Sequence, residues 1–232
     1  MSTQDIYITL ILSGCFLLLF AILEILYHYF KVDAEYTRKM SHIFSGILTI
    51  IFLVYFNHLW QGLLICFTFF ILLALSMKYN FLKSINAVDR KTYGNLLYPL
   101  IVMFVFAFYI YAKEHFTLFG PRLYFYLPIL VFALCDPAAA FAGRYYQKTR
   151  PHITGKTLVG SAAFFVLAFL ISLPLLLYYN RGGLDVFTLI ALALALALTT
   201  TLAEKWSTNG WDNFNISFTA VIVLFVFEKM AG

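Results

Sequence analysis

Charge is what this sequence has least of. Only 12% of its 232 residues are Asp, Glu, Lys or Arg, while 62% are hydrophobic; a soluble domain carries about 25% charged residues. That excludes a water-soluble fold for most of the chain. Cysteine is scarce too, and Cys15, Cys66 and Cys135 all sit inside apolar runs, which suits small buried hydrophobes and excludes a disulfide framework. No Cys/His metal spacing occurs, and no Pro/Ser-rich linker or internal repeat divides the chain. The first apolar run has Asp5 before it and no basic residue, unlike a cleaved signal peptide. A net charge of +5 would point to nucleic acid in a soluble chain. Here its distribution between loops carries the information, and no nucleic-acid partner is expected.

What is present is a series of long apolar runs. A spanning helix needs roughly 20 apolar residues, so the length allows about eight spans and leaves no room for a soluble domain. The runs are Ile6 to Phe30, His42 to Phe56, a third that follows the turn Asn57 to Gln61 and ends near Met77, Gly94 to Ala112, Leu123 to Ala142, Leu158 to Tyr179, Leu184 to Ala203 and Asn215 to Phe227. The second is short for a span, with a polar loop from Lys31 to Ser41 before it. Lys78 to Lys91 is basic, with Phe81, Leu82, Ile85 and Val88 at near-helical spacing, and reads as a short amphipathic helix on the membrane surface. The expected fold is all-α, a polytopic bundle of about eight transmembrane helices.

The loops then fall alternately on two faces. Of sixteen basic residues only Lys113, Arg122, Arg181 and Lys229 lie on one face, leaving twelve on the other. By the positive-inside tendency the basic face is cytosolic and both termini lie on the opposite side. Every polar cluster of interest falls on the basic face.

The densest cluster runs from Asp136 to Ser161. An acid at the end of an apolar run is costly and usually faces a cavity or a partner. Pro137 removes an amide and clashes with the carbonyl four residues back, so the helix is expected to fray or bend there. Arg144, Lys148, Arg150 and Lys156 follow, and Gly160-Ser161 opens the next run. Three more groups share that face: Arg38, Lys39 and His42; the segment from Arg90 to Asn95; and Glu204 with Asp212 and Asn213. Carboxylate and amide oxygens are Mg2+ ligands, commonly one or two carboxylates together with substrate phosphates. Phosphoryl transfer needs mostly positioning and charge stabilisation, and this set supplies both.

Simpler readings compete. Cytosolic basic residues are often only a topology signal, His42 and His152 suit packing or surface positions, and Asp212-Asn213 suits a turn. Glu24 and His28 are four apart, either a helix-end pair or a border of the same cavity. Gly155-Lys156-Thr157 resembles the end of a P-loop, but Arg150 stands where that motif needs Gly.

Taken in order, Arg38-Lys39-x-x-His42-x-x-x-Gly46, Gly94-Asn95 with Pro99, Asp136-x-x-Ala139-x-x-x-Gly143-Arg144, Lys156-Thr157-x-x-Gly160-Ser161, Glu204 and Asp212-Asn213 resemble the dolichol kinase and phytol kinase family. That family also includes a CTP-using diacylglycerol kinase. The resemblance covers about residues 24 to 217 and implies a single transmembrane catalytic domain over 1–232. It implies an integral membrane, multi-pass kinase with cytosolic site loops, in a bacterial inner membrane or a eukaryotic endoplasmic reticulum or organelle membrane. Such a kinase moves the terminal phosphate of CTP, or a related nucleotide, to a lipid alcohol: a polyprenol such as dolichol or phytol, or diacylglycerol. By the same resemblance Asp136 is the catalytic residue. Arg38, Lys39, Asn95, Arg144, Lys156, Thr157, Gly160 and Ser161 bind nucleotide phosphate; Glu204, Asp212 and Asn213 hold Mg2+; His42 and Glu24 border the site. Val159 stands where the family usually has Glu, and Glu204 is a candidate for part of that work.

Two other functions fit parts of the pattern. Phosphatidate cytidylyltransferases share the Asp-x-x-Ala to Lys-Thr stretch and use CTP, but their long C-terminal signature does not occur here. A non-catalytic transporter or scaffold for an anionic lipid would need the basic loops and not five ordered motifs.

Overall fold

The computed structural model describes residues 3–56, 58–87, 93–150 and 155–232. Among them the chain is helical, with no β-strand and one isolated bridge between Phe119 and Asn180. The helices are α1 (Thr3–His28), α2 (Ala34–Ile50), α3 (Phe52–Tyr55), α4 (Leu59–Tyr79), α5 (Lys83–Asn86), α6 (Gly94–His115), α7 (Leu123–Leu130), α8 (Asp136–Thr149), α9 (Leu158–Tyr179), α10 (Val186–Trp206) and α11 (Asp212–Ala231). Eight stretches are long and apolar enough to cross a membrane, counting α2 with α3 and α7 with α8 as one each. The chain forms two compact units, Met1–Met103 and Phe104–Gly232.

In the first unit α1 turns Leu12, Phe16, Phe20 and Leu23 inward, while Leu10, Ile11, Leu17, Leu18 and Ile22 remain exposed. A helix apolar on both sides, with only one side packed, is suited to lipid contact. The expected loop from Lys31 to Ser41 is corrected. Asp33 caps a helix, its Oδ1 accepting from the Glu35 amide at 2.9 Å, and α2 starts at Ala34. Arg38, Lys39 and His42 therefore sit on a buried helix face instead of a loop.

The surface amphipathic helix is also corrected. Lys78 and Tyr79 end α4, beyond which only Lys83–Asn86 is helical in the described part of that stretch, and Ile85 is 1% exposed. Buried side chains hold the segment from several directions. The Ser84 amide donates to Glu24 Oε1 at 2.8 Å, and the Ser84 carbonyl accepts from Thr37 Oγ1. Asn95 Nδ2 donates to the Ile85 carbonyl at 2.7 Å. Asn86 Nδ2 and the Leu82 amide donate to Ser76 Oγ at 2.7 and 3.2 Å. A four-residue helix has little stability alone, so these bonds and the burial of Ile85 define it. Arg90, Lys91 and His152 lie outside the described residues.

In the second unit α9 packs on α8 and α10, and α11 packs on α10 and α7. The chain does not fray at Pro137. It widens into a π-helical turn, Val131–Cys135, and continues as α8 with Pro137 in the first turn. The wider turn accommodates the missing amide and the ring's clash with the Ala133 carbonyl, so the helix survives. At the opposite end of this unit, Glu228 of α11 is buried. Its Oε1 accepts from the amides of Thr117 and Leu118 at 2.5 and 2.8 Å, and its Oε2 from the Tyr124 hydroxyl at 2.5 Å. That carboxylate fastens the α6–α7 connection to α11.

Candidate functional site

The clearest polar constellation in the second unit is built where α9 and α11 begin and α10 ends. Lys156 lies just before α9, and its Nζ is 2.8 Å from Glu204 Oε1 and 3.7 Å from Asp212 Oδ2. The same ammonium donates to the Glu204 carbonyl in the last turn of α10. An acid in the last turn of a helix opposes the helix dipole; the lysine offsets that by binding both its side chain and its carbonyl. Asp212 opens α11, where a carboxylate is favoured, and its Oδ1 accepts from the Asn213 amide at 3.0 Å. Asp136, 3% exposed at the start of α8, lies within electrostatic reach of Glu204, as Asp212 does. Two carboxylates thus converge on one ammonium, with a third within electrostatic reach of Glu204.

The small residues of the motif have a packing reason. A Cβ on Gly160 would stand 2.8 Å from the Ala139 carbonyl oxygen, and one on Gly143 would stand 3.0 Å from Thr157 Oγ1. Only glycine lets α8 and α9 approach so closely. Thr157 caps α9, its Oγ1 accepting from the Gly160 amide at 3.0 Å, and Ser161 is half-buried one residue further on. Gln147, which the motif reading passed over, donates from Nε2 to the Gly155 carbonyl at 2.8 Å. Gly155 has φ +77°, the left-handed turn that brings the chain back toward Lys156. Arg144 is half-buried on α8, two turns beyond Asp136.

Arg38, Lys39, His42, Asn95 and Glu24 belong to the first unit. Arg38 is 2% exposed and pairs with Glu35, Nη2 to Oε1 at 2.5 Å; its Nε has no hydrogen-bond partner among the described residues. Lys39 is buried beside it. The His42 ring packs on Tyr98 with centroids 5.8 Å apart. Asn95 uses its amide nitrogen on Ile85, and its Oδ1 has no hydrogen-bond partner among the described residues. Glu24 bonds the Ser84 amide and pairs with His28 at 3.1 Å, so it holds α5 as well as closing its own helix end. Glu35, Thr37 and Ser84 were not singled out in the sequence. The Asp33 cap, which starts α2 early, is the local signal that would have found Glu35.

The donor set at Lys156 suits a hard cation. Two carboxylates already converge on the lysine ammonium, and Mg2+ commonly takes one or two carboxylates with phosphate oxygens and water. No group of three or more His, Cys, Asp or Glu able to hold a metal by itself occurs among the described residues.

No family profile matches the chain, and no solved structure matches it. It is 28% identical over 195 residues to a phytol kinase from Synechocystis sp., covering 82% of this chain and 78% of that protein. The chain is thus similar to a phytol kinase, at a distant level of identity, along most of its length.

Proposed function

We propose that this integral membrane protein is a lipid kinase. It moves the terminal phosphate of CTP, or a related nucleoside triphosphate, to the hydroxyl of a lipid alcohol, with an isoprenoid alcohol as first choice. The carrying observation is Lys156 between Glu204 and Asp212, with the buried Asp136 within electrostatic reach of Glu204, in a chain similar to phytol kinase. Lys156 and Arg144 neutralise nucleotide phosphate, and Thr157, Gly160 and Ser161 form the start of α9, whose dipole favours an anion. Glu204, Asp212 and Asn213 would hold Mg2+, which when bound offsets phosphate charge. In the first unit Arg38, Lys39 and Asn95 form a separate set of anion-binding groups.

In the transfer, the lipid oxygen bonds the terminal phosphorus as the bridging P–O bond breaks and the nucleoside diphosphate leaves. The hydroxyl proton passes to a base. Asp136 is that base or a further oxygen ligand to the metal. Either role predicts that purified, folded Asp136→Asn loses at least about 2 kcal/mol of transition-state stabilisation, roughly 30-fold in rate. A purely packing role would leave activity within about threefold of wild type.

CTP labelled in separate tubes at the γ or α phosphate tests the reaction type. Label from the γ position appearing in lipid supports the kinase; label from the α position identifies a cytidylyltransferase; none identifies a binding protein. The basic loops face the cytosol in this proposal, with both termini opposite. In a background lacking native cysteines, single cysteines at Lys31, Lys148 and Asn209 should resist impermeant reagent in intact cells. Labelling of two of these from outside would reverse the topology.

A further inference from the structure

One opening in the first unit is left unused by the phosphate chemistry. A cleft with about 340 Å³ of space not filled by atoms, part of it open to the surroundings, lies among α1, α2, α3, α4 and α6. Phe16, Phe20, Phe52 and Phe69 line it, and Phe16 and Phe69 pack 5.2 Å apart. Protein interiors are otherwise close-packed, and a gap walled by rings forfeits dispersion contacts that a hydrocarbon chain would restore. Pro99 stands in the α6 wall, where it cannot donate to the Asn95 carbonyl.

One wall is not apolar. Ser45 and Thr49 of α2 and Tyr98 of α6 line the cleft, with Thr49 Oγ1 and Tyr98 Oη 3.5 Å apart. Arg38, His42, Ser45 and Thr49 follow one another at four, three and four residues, which places them on one face of α2. All four are buried. Along about 16 Å of helix that face passes from a guanidinium, through an imidazole tilted against Tyr98, to hydroxyls at the cleft. The Arg38 Nε, buried without a hydrogen-bond partner among the described residues, marks the polar end; such groups ordinarily have one.

We propose that this cleft holds the hydrocarbon chain of one lipid alcohol, its hydroxyl end directed along α2 toward His42 and Arg38. The occupant is amphiphilic with a single small polar terminus. A bulk phospholipid has a bulky headgroup, which the buried stripe does not suit, whereas a hydroxyl, or the phosphate made from it, matches a hydroxyl wall ending in cations. The inference rests on the lipid-kinase reading for the identity of the ligand.

The test uses the full-length protein in phosphatidylcholine vesicles with a twenty-carbon prenyl alcohol bearing a diazirine in its tail. Irradiation is followed by mass-spectrometric mapping, with and without excess unmodified prenyl alcohol. Competable adducts are expected on the cleft-facing residues of α1, α2 and α4. They should fall about tenfold when the cleft is filled by Ile65→Trp. Ser45→Leu, a milder change on the same wall, should also reduce them if the tryptophan variant does not fold. Competable adducts only elsewhere, or none that compete, overturn the proposal. The γ-labelled CTP assay separates it from the parent reading. Phosphoryl transfer with adducts elsewhere sinks the cleft alone; competable cleft adducts without transfer sink the kinase and leave a lipid-alcohol site.

Discussion

Replacing Lys156 by Met would remove the one ammonium between Glu204 and Asp212. Each pair has a gross attraction of the order of 4 kcal/mol at a near-surface effective dielectric constant. Most of that is offset by taking the charges from water. The lysine side chain is 29% exposed, whereas the Glu204 and Asp212 side chains are 7% and 11% exposed. The cost therefore falls between the 0–1 kcal/mol of an exposed pair and the 3–5 kcal/mol of a fully buried one, at about 2 kcal/mol. For a chain of this size that lowers Tm by about 4–8 °C. The assay is thermal unfolding of purified protein in one detergent, which reads the cluster without depending on the reaction. Adding Glu204→Gln to Lys156→Met should recover more than half of the loss, because it removes a carboxylate left without its partner. Mg2+ should raise Tm more in Lys156→Met than in wild type, since the metal would no longer compete with the lysine for the same oxygens. A single-variant shift under about 2 °C, or strictly additive effects in the pair, would refute this account of the cluster.

Other outcomes follow from the packing. Glu228→Leu leaves two amides and the Tyr124 hydroxyl without acceptors, at about 1–3 kcal/mol each, and should unfold or sharply destabilise the protein. Glu228→Gln keeps one oxygen for the amides and should lose clearly less in the same thermal assay; equal losses would show that the bonds matter little. Gly160→Ala pushes a methyl onto the Ala139 carbonyl and should cost about 1–3 kcal/mol, while the same change at Gly14, where nothing lies within 4 Å, should raise or preserve Tm.

How much was legible beforehand depended on what holds each element. The run Leu158 to Tyr179 is the helix α9 to the residue, because Thr157 caps it and its ends are marked by polar loops. The start of α2 was missed because Arg38 and Lys39 look like loop residues, and tertiary packing with Glu35 buries them instead. Ile85 failed the surface-helix pattern for the same kind of reason: Glu24, Thr37, Ser76 and Asn95 reach α5 from sequence positions up to 60 residues away. No local pattern encodes such bonds. The link from Lys156 to Glu204 spans 48 residues. Its members could be nominated by charge, but their pairing required the helices to be in place. Glu228 gave no signal at all, since an acid near the end of an apolar run looks like an ordinary interfacial residue.

The wide turn at Val131–Cys135 bears on how sequences like this one should be aligned. Each residue of an α-helix advances about 100° around the axis, so a wheel drawn straight from Leu123 to Thr149 misassigns everything past Cys135. A π turn is in effect a one-residue insertion absorbed where it occurs. A relative lacking it would be one residue shorter between Tyr124 and Asp136, yet present its acid and its Ala139–Gly143 contact surface in the same direction. A single-residue gap inside a membrane span, normally forbidden when sequences are compared, is therefore physically allowed at this one place.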